Sequence, residues 1–275
     1  MKSHSIFGVS IDDISADELT SQLSGWLEEG RGRVIVTPNA EMLLFARHDA
    51  LFQKQLNSAD LRLPDAVSLR YAVAALTDDY LQHRHTGVDT LTRIATLCAR
   101  QEKRLLLLGG DPGSAQQAAE RMKRSQDSLG VHAIDPGVLV WDEGTVRLSS
   151  AMEELILQIE PDVIAVALGQ RKQETFMQQY RKTFPSVKMM IGVGGAFEML
   201  SGQKKRSPKW MRSIGLEFLW RVLIEPRRIG RIIRASVVFP LIVVWQTLRQ
   251  KRFVKAIKRV IPEVLRQLSL PSRTK

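Results

Sequence analysis

The 275-residue chain is long enough for one α/β domain plus an appendage, and its 44% hydrophobic and 25% charged content excludes a disordered or fibrous protein. The net charge of +11 is uneven: residues 1–202 hold 21 Lys and Arg against 26 Asp and Glu, whereas residues 203–275 hold 19 against 3. Cys98 stands alone, which excludes an intramolecular disulfide framework and a cysteine-based zinc site, and the basic last quarter points to an anionic partner.

MKSHSIFGVSIDD at the N-terminus has no long apolar core, so no secretory leader is expected. Ser15 and Glu18 have capping-box spacing and predict a helix through about Glu29. RVIVT (33–37) reads as a strand and NAEMLLFARHDALFQKQL (39–56) as one helix. LRL (61–63) is a short strand before Asp65, and a helix follows through about Ala75. VDTLTRIATLCARQ (88–101) is helical and places Cys98 on an apolar face, as a buried thiol. RLLLLGG (104–110) reads as a buried strand, with a helix from about Ser114 to Leu129 and a weak strand at VHAID. VRLSSAMEELILQIE (146–160) is helical, DVIAVALG (162–169) a strand, KQETFMQQYRKTF (172–184) a helix, and KMMIGVGGAF (188–197) closes the series. Continuous apolar strands separated by helices predict a Rossmann-like α/β fold: a mostly parallel sheet covered by helices on both faces.

The texture changes after Gly202, so residues 1–202 read as a catalytic domain and 203–275 as a basic, helical, membrane-associating appendage. There Arg206, Arg212, Arg221, Arg227, Arg228 and Arg231 thread an apolar, Trp-containing segment. ASVVFPLIVVWQTL (235–248) is uncharged but shorter than the ~20 residues needed to cross a bilayer. Phe253, Ile257, Val260, Ile261, Val264, Leu265 and Leu268 make an apolar helical stripe, with Lys and Arg on other faces and Pro240 and Pro262 expected to kink or interrupt the helices. A nucleic acid would also suit Arg and aromatics, but the Ile, Val and Leu content favours lipid.

In an open parallel sheet, ligands collect at the carboxyl ends of strands. Five such ends carry polar or glycine-rich residues: TPNAE with Thr37 and Asn39, LPDA with Asp65, GGDPGS with Gly109, Gly110 and Gly113, ALGQRKQE with Gly169, Lys172, Gln173 and Glu174, and GVGGAF with Gly194 and Gly195. The GGDPGS turn can offer backbone N–H groups to a phosphate, Lys172 a point charge, and Gln173 both a donor and an acceptor. Glu174 also suits a solvated first helical turn. Asp65 has two readings that local chemistry leaves open: the N-cap of the following helix, or an ionised carboxylate that takes a proton from a bound hydroxyl. His83 and His85 read as polar loop residues. The chain has no D-x-D pair, so metal and cofactor are both expected to be absent, and a diphosphate leaving group would need Arg, Lys and N–H groups.

VTPNAEML, LPDAVSLRYA, HRHTGVD, LLLLGGDPGSA, PDVIAVALGQRKQE, VGGAFEMLSGQKKRSPKW and GLEFLWRVLIEPRRIGR occur in the order seen in the WecG/TagA/CpsF glycosyltransferases, which this chain resembles over roughly residues 5–233. The resemblance implies metal-independent, inverting transfer of a hexose (N-acetylmannosamine, its uronic acid or a related hexose) from a UDP-sugar to a polyprenyl-diphosphate-linked saccharide. It implies a cytoplasmic enzyme at the inner face of the cell membrane, acting in cell-surface polysaccharide assembly. By the same resemblance Asp65 is the general base, Thr37 and Asn39 lie on the active strand end, Arg84 binds substrate and Gln173 lines the pocket. The appendage arginines, Arg212, Arg221, Arg227, Arg228 and Arg231 among them, reach the acceptor's diphosphate. The expected partners are the donor, the acceptor and an anionic membrane surface, with no nucleic acid, and a homo-oligomer is left open. Ala66 stands where the family has glycine, Arg171 where proline is common, and Glu198 where Asp is common; Ala66 and Arg171 are expected to line the pocket. The rival readings are a membrane-docked nucleotide-binding scaffold without catalysis and a nucleic-acid-binding protein.

Overall fold

The computed structural model describes residues 1–29, 32–137, 139–142, 144–205, 207, 208, 211, 220 and 229–269. The chain opens with an antiparallel hairpin, β1 (Lys2–Ile6) and β2 (Val9–Asp13), followed by α1 (Ala16–Glu29). The capping box forms as its spacing predicts: Ser15 N–H donates to Glu18 Oε2 at 2.9 Å and Glu18 N–H donates to Ser15 Oγ at 3.3 Å. Next come β3 (Arg33–Val36), α2 (Ala40–Ala46), α3 (Ala50–Asn57), β4 (Leu61–Arg62), α4 (Val67–Leu76), α5 (Gly87–Arg100), β5 (Arg104–Gly109), α6 (Ser114–Ser125) and β6 (Gly130–Ile134). A small hairpin, β7 (Val140–Asp142) with β8 (Thr145–Arg147), leads to α7 (Ser150–Ile159), β9 (Val163–Ala167), α8 (Lys172–Tyr180), β10 (Met189–Gly192) and α9 (Ala196–Leu200).

Six strands form one parallel sheet in the order β4-β3-β10-β9-β5-β6. Its central strands are buried on both sides because successive side chains alternate between two apolar layers. Leu105, Leu107, Val163, Ala165 and Ile191 join α1, α5, α6 and α9, whereas Leu106, Leu108, Ile164, Val166 and Met190 join α2, α3, α4 and α8. Each such Leu, Ile or Val contributes about 1.5–3 kcal/mol over an exposed one. Cys98 lies in the first layer, fully buried, and burial pushes its thiol up to about 12.

Two segments depart from the periodicity. The helix read over 39–56 is broken, because Asp49 caps α3 by accepting from Phe52 N–H at 2.9 Å, and aspartate favours caps over helix interiors. Residues 145–147 form β8 rather than helix, and α7 starts only where Ser149 caps it.

The last described elements are α10 (Ile229–Ile233), a π-helical turn (Arg234–Val238), α11 (Phe239–Arg249) and α12 (Phe253–Ser269). Pro240 lacks an N–H, and the wider turn just before it has Phe239 N–H bonded to Arg234 C=O. Pro262 sits inside α12 without interrupting it. α11 and α12 both pack on α4, and Phe239 meets the first hairpin's Phe7 edge-on at 5.7 Å.

Candidate active site

A cleft of about 760 Å³ lies over the carboxyl ends of β3, β4, β5, β9 and β10, with α10 and the π turn as its outer wall. That volume is within the usual range for a small-molecule site. Thr37, Asn39, Asp65, Arg84, Gly109, Gly110, Gly169, Gln173, Gly194, Gly195 and Arg231 all line it. Gly113 and Lys172 do not: Gly113 is the left-handed N-cap of α6, and Lys172 opens α8. Arg206, Arg212, Arg221, Arg227 and Arg228 lie outside the described residues.

Asp65 is not the cap of the helix that follows it. Ala66 holds that position, with no side-chain hydrogen bond, while Asp65 N–H donates to Pro38 O at 3.0 Å. The carboxylate reaches instead to the start of α5, where Oδ1 accepts from Gly87 N–H at 3.2 Å. A helix N-terminus favours negative charge, so α5 orients the group. Beside it, Thr37 is buried and donates its hydroxyl to Gly192 O at 2.9 Å. Asn39 spends its side-chain oxygen on capping α2, accepting from Met42 N–H at 3.1 Å.

Arg84 enters the cleft from the loop between α4 and α5, with Nη1 donating to Asp65 O at 3.5 Å. Asp13, at the end of β2, holds that loop: it accepts from Gln82 N–H at 2.8 Å and His83 N–H at 2.9 Å, and lies 2.8 Å from His83 Nδ1. Burial alone would raise the Asp13 pKa, but these hydrogen bonds hold it below the usual carboxylate range. His85 is buried and donates from Nε2 to Ile14 O at 2.8 Å, and burial lowers its pKa.

The opposite wall rests on two adjacent buried side chains of α8. Gln173 Oε1 accepts from Gly194 N–H at 3.2 Å, and its Nε2 donates to Glu174 Oε1 at 2.7 Å. Glu174 does not face the cleft. It is fully enclosed, accepts from Arg171 N–H at 2.6 Å, and is pushed by burial up to about 7. Gly192 makes room for this arrangement, since a Cβ there would sit 2.9 Å from Gln173 Nε2. Arg171 lines a separate small hollow rather than the cleft, pairing with Asp49 at 2.7 Å; of the two substituted positions expected in the pocket, only Ala66 is there.

The turn after β5 is acidic, and much of its donor capacity is already engaged. Gly110 N–H donates to Ala167 O, Asp111 N–H to Glu198 Oε1 and Ser114 N–H to Asp111 O, each within 2.9 Å. Asp111, Asp135 and the buried Glu198 line this end of the cleft, with Lys204 paired to Asp111 at 2.6 Å. Glu198 Oε2 has no hydrogen-bond partner among the described residues. This end therefore offers a ligand acceptors, and fewer N–H donors than the glycines alone suggest.

Glu41 is a site residue that the motifs did not single out. It lies buried in the first turn of α2, accepting from Arg231 Nε at 2.9 Å and from Arg234 Nη2 at 2.9 Å. Arg234 also stacks over Phe45, 5.6 Å from the ring centre. One carboxylate thus fastens the outer wall to the body. The available signal was an acid within the otherwise apolar AEMLLFA helix.

The glycosyl transferase WecG/TagA/CpsF family model matches residues 4–253. The N-acetylglucosaminyldiphosphoundecaprenol N-acetyl-beta-D-mannosaminyltransferase of Bacillus spizizenii is 31% identical over 227 residues, covering 80% of this chain and 84% of the relative. The protein of the same name in Bacillus subtilis is 28% identical over 208 residues, covering 76% of this chain and 78% of the relative. With its motifs in order and matched across the whole sheet and cleft, the chain belongs to the WecG/TagA/CpsF family of glycosyl transferases.

Proposed function

We propose that this chain moves a hexose of the N-acetylmannosamine class from a UDP-sugar to a saccharide on polyprenyl diphosphate, with inversion, at the inner face of the cell membrane. The observation that carries the reading is the Asp65 carboxylate, held by Gly87 N–H at 3.2 Å on the floor of a cleft of about 760 Å³. The acceptor's hydroxyl oxygen attacks the anomeric carbon as Asp65 takes its proton. The bond from that carbon to the UDP oxygen breaks, and UDP leaves with the electron pair.

Arg84 and Arg231 are the cations among the described residues lining the cleft, and they face the charge that grows on the diphosphate. Arg212, Arg221, Arg227 and Arg228 belong to the same proposal as acceptor-diphosphate ligands. Ala66, beside the base, bears on which sugar is accepted. The names of the two Bacillus relatives support an N-acetylmannosamine donor and a diphosphoundecaprenol-linked acceptor. A nucleic-acid role is less well supported, because Arg252, just before α12, and Arg259 within it are spent on backbone carbonyls of the body.

The test is a panel of UDP-sugars offered with a prenyl-diphosphate-linked N-acetylglucosamine and read by mass spectrometry. Addition of one N-acetylhexosamine, lost in Asp65→Asn with UDP binding retained, is the expected result. UDP binding without transfer from any donor would leave the non-catalytic scaffold in its place.

A further inference from the structure

The segment that carries Arg84 into the cleft, residues 77–86, has no regular secondary structure. Irregular surface segments ordinarily fluctuate, because water takes most of their backbone hydrogen bonds. This one is fastened from two sides. Asp13 of the first hairpin accepts from the N–H groups of Gln82 and His83. Arginines take the carbonyls opposite. Arg70 Nε donates to Leu81 O at 3.0 Å and its Nη2 donates to Gln82 O. Arg252 Nη2 donates to Thr77 O at 2.9 Å, and Arg259 Nη2 donates to Asp79 O at 2.6 Å.

Each of those arginines belongs to the C-terminal helix or leans on it. Arg252 immediately precedes α12 and also pairs with Asp78 at 2.7 Å. Arg259 sits within α12 and bridges two points of the body. Its Nε donates at 3.2 Å to Ala74 O, in the last turn of α4, and the guanidinium lies over the Tyr80 ring at 4.1 Å. Arg70 is buried in α4, and burial pulls its pKa down; Glu263 of α12, 3% exposed, lies 3.7 Å away and opposes that loss of charge. Arg84 itself donates to Asp65 O at 3.5 Å, too long to fix a side chain, so its place follows the backbone beneath it.

We propose that α12 is a clamp on residues 77–86, with Arg259 and Glu263 as positioning residues that set Arg84 against the departing diphosphate. The role rests on Arg84 facing that diphosphate, as proposed above. Neither Arg259 nor Glu263 lines the cleft, so both act through the backbone that carries Arg84. α12 runs from Phe253 to Ser269, and the clamp is therefore additional to what the family match covers. The planar fork of Arg259 ties Ala74 O to Asp79 O and so fixes the angle at which the chain leaves α4. An ammonium group is a point charge and cannot bridge both carbonyls while lying on Tyr80. Precision matters here, because moving a group that meets transition-state charge by roughly 1 Å can cost on the order of 10²-fold in rate.

The test uses the full chain with Arg259→Lys, which keeps the charge and the aliphatic stem, and with Arg259→Ala beside it. With circular dichroism unchanged, amide exchange in residues 77–86 should quicken on the order of tenfold. Transfer kcat should fall on the order of tenfold in both variants, with the donor KM little changed. In an Arg84→Ala background, neither substitution should lower kcat further, since the group being positioned is gone. Exchange equal to the parent's overturns the clamp, and losses that multiply with that of Arg84→Ala overturn the route through Arg84. Parental kcat in Arg84→Ala alone overturns the positioning role outright. A parent chain that transfers from no UDP-sugar removes the proposed activity instead. Loop exchange and titration with UDP then decide the clamp: UDP binding weakened by Arg259→Lys, and not weakened further when that change is added to Arg84→Ala, supports it, and any other pattern overturns it.

Discussion

Asp65 Oδ1 accepts a hydrogen bond from Gly87 N–H at 3.2 Å, joining the strand end at β4 to the first residue of α5. In the proposed base role, a carboxylate aimed in this way before substrate arrives has less reorganisation left for the reaction itself. Asp65→Asn keeps an oxygen for Gly87 but is a far weaker base. Its turnover should fall by about 10²–10⁴-fold, with the donor's Kd within about twofold of the parent, measured by single-turnover transfer and by UDP titration. Full turnover in this variant would remove Asp65 from the base role.

Asp13 never touches the cleft, yet it fixes the backbone that presents Arg84. Asp13→Ala should lower stability by about 1.5–3 kcal/mol at neutral pH, since a buried carboxylate with several donors is lost. Its folded pKa is depressed, so this stabilisation is present above the unfolded value and disappears as pH falls through the folded one. Chemical denaturation of parent and variant from pH 7 downward should show the gap closing in acid. A positioning role also predicts a lowered kcat, because Arg84 faces the charge proposed to grow on the departing diphosphate, and a gap in stability alone would not produce that.

Glu174 titrates in the opposite sense. Its folded pKa of about 7 lies above its unfolded value, so the folded state binds the extra proton between those limits and stability falls as pH rises through them. The span corresponds to a few kcal/mol, about 1.4 per unit. Glu174→Gln should flatten the melting temperature between pH 5 and pH 8 while keeping an acceptor for Arg171 N–H. An unchanged slope would show that Glu174 is ionised throughout.

Glu41 fastens the outer wall through two arginines whose side chains are 43 and 44% exposed, so solvent weakens each bond. Glu41→Gln should cost about 1 kcal/mol overall but open the wall locally. Hydrogen exchange in residues 229–238 should quicken, and the acceptor KM should rise more than the donor KM. Protection equal to the parent's would mean that packing of α11 on α4 holds the wall unaided.

The sheet was readable because β5 and β9 are continuous apolar runs, and nothing but a strand buried on both faces uses RLLLLG and VIAVA in that way between helices. The first hairpin was not, since KSHSI and VSIDD mix polar residues into short strands. The clamp from Asp13 to His83 spans 70 residues, and no local pattern encodes it. At Asp65 the local rules left cap and base both open, and the cap reading falls because Ala66 holds that position while the carboxylate turns to a residue 22 further on. GGDPGS has the glycines of a phosphate turn, but three of its N–H donors are spent on Ala167, Glu198 and the turn itself. α12 was legible as an amphipathic helix, while the face that meets the body depends on Arg70 and on the carbonyls of Ala74, Thr77 and Asp79, far away in sequence.

The cleft opens beside the last described helices, and its proposed acceptor is tethered to lipid. At the proposed membrane face the enzyme would therefore search an area instead of a volume. Its velocity would then follow acceptors per phospholipid rather than acceptors per litre, and adding inert lipid at fixed total acceptor would slow it by spreading both over a wider surface.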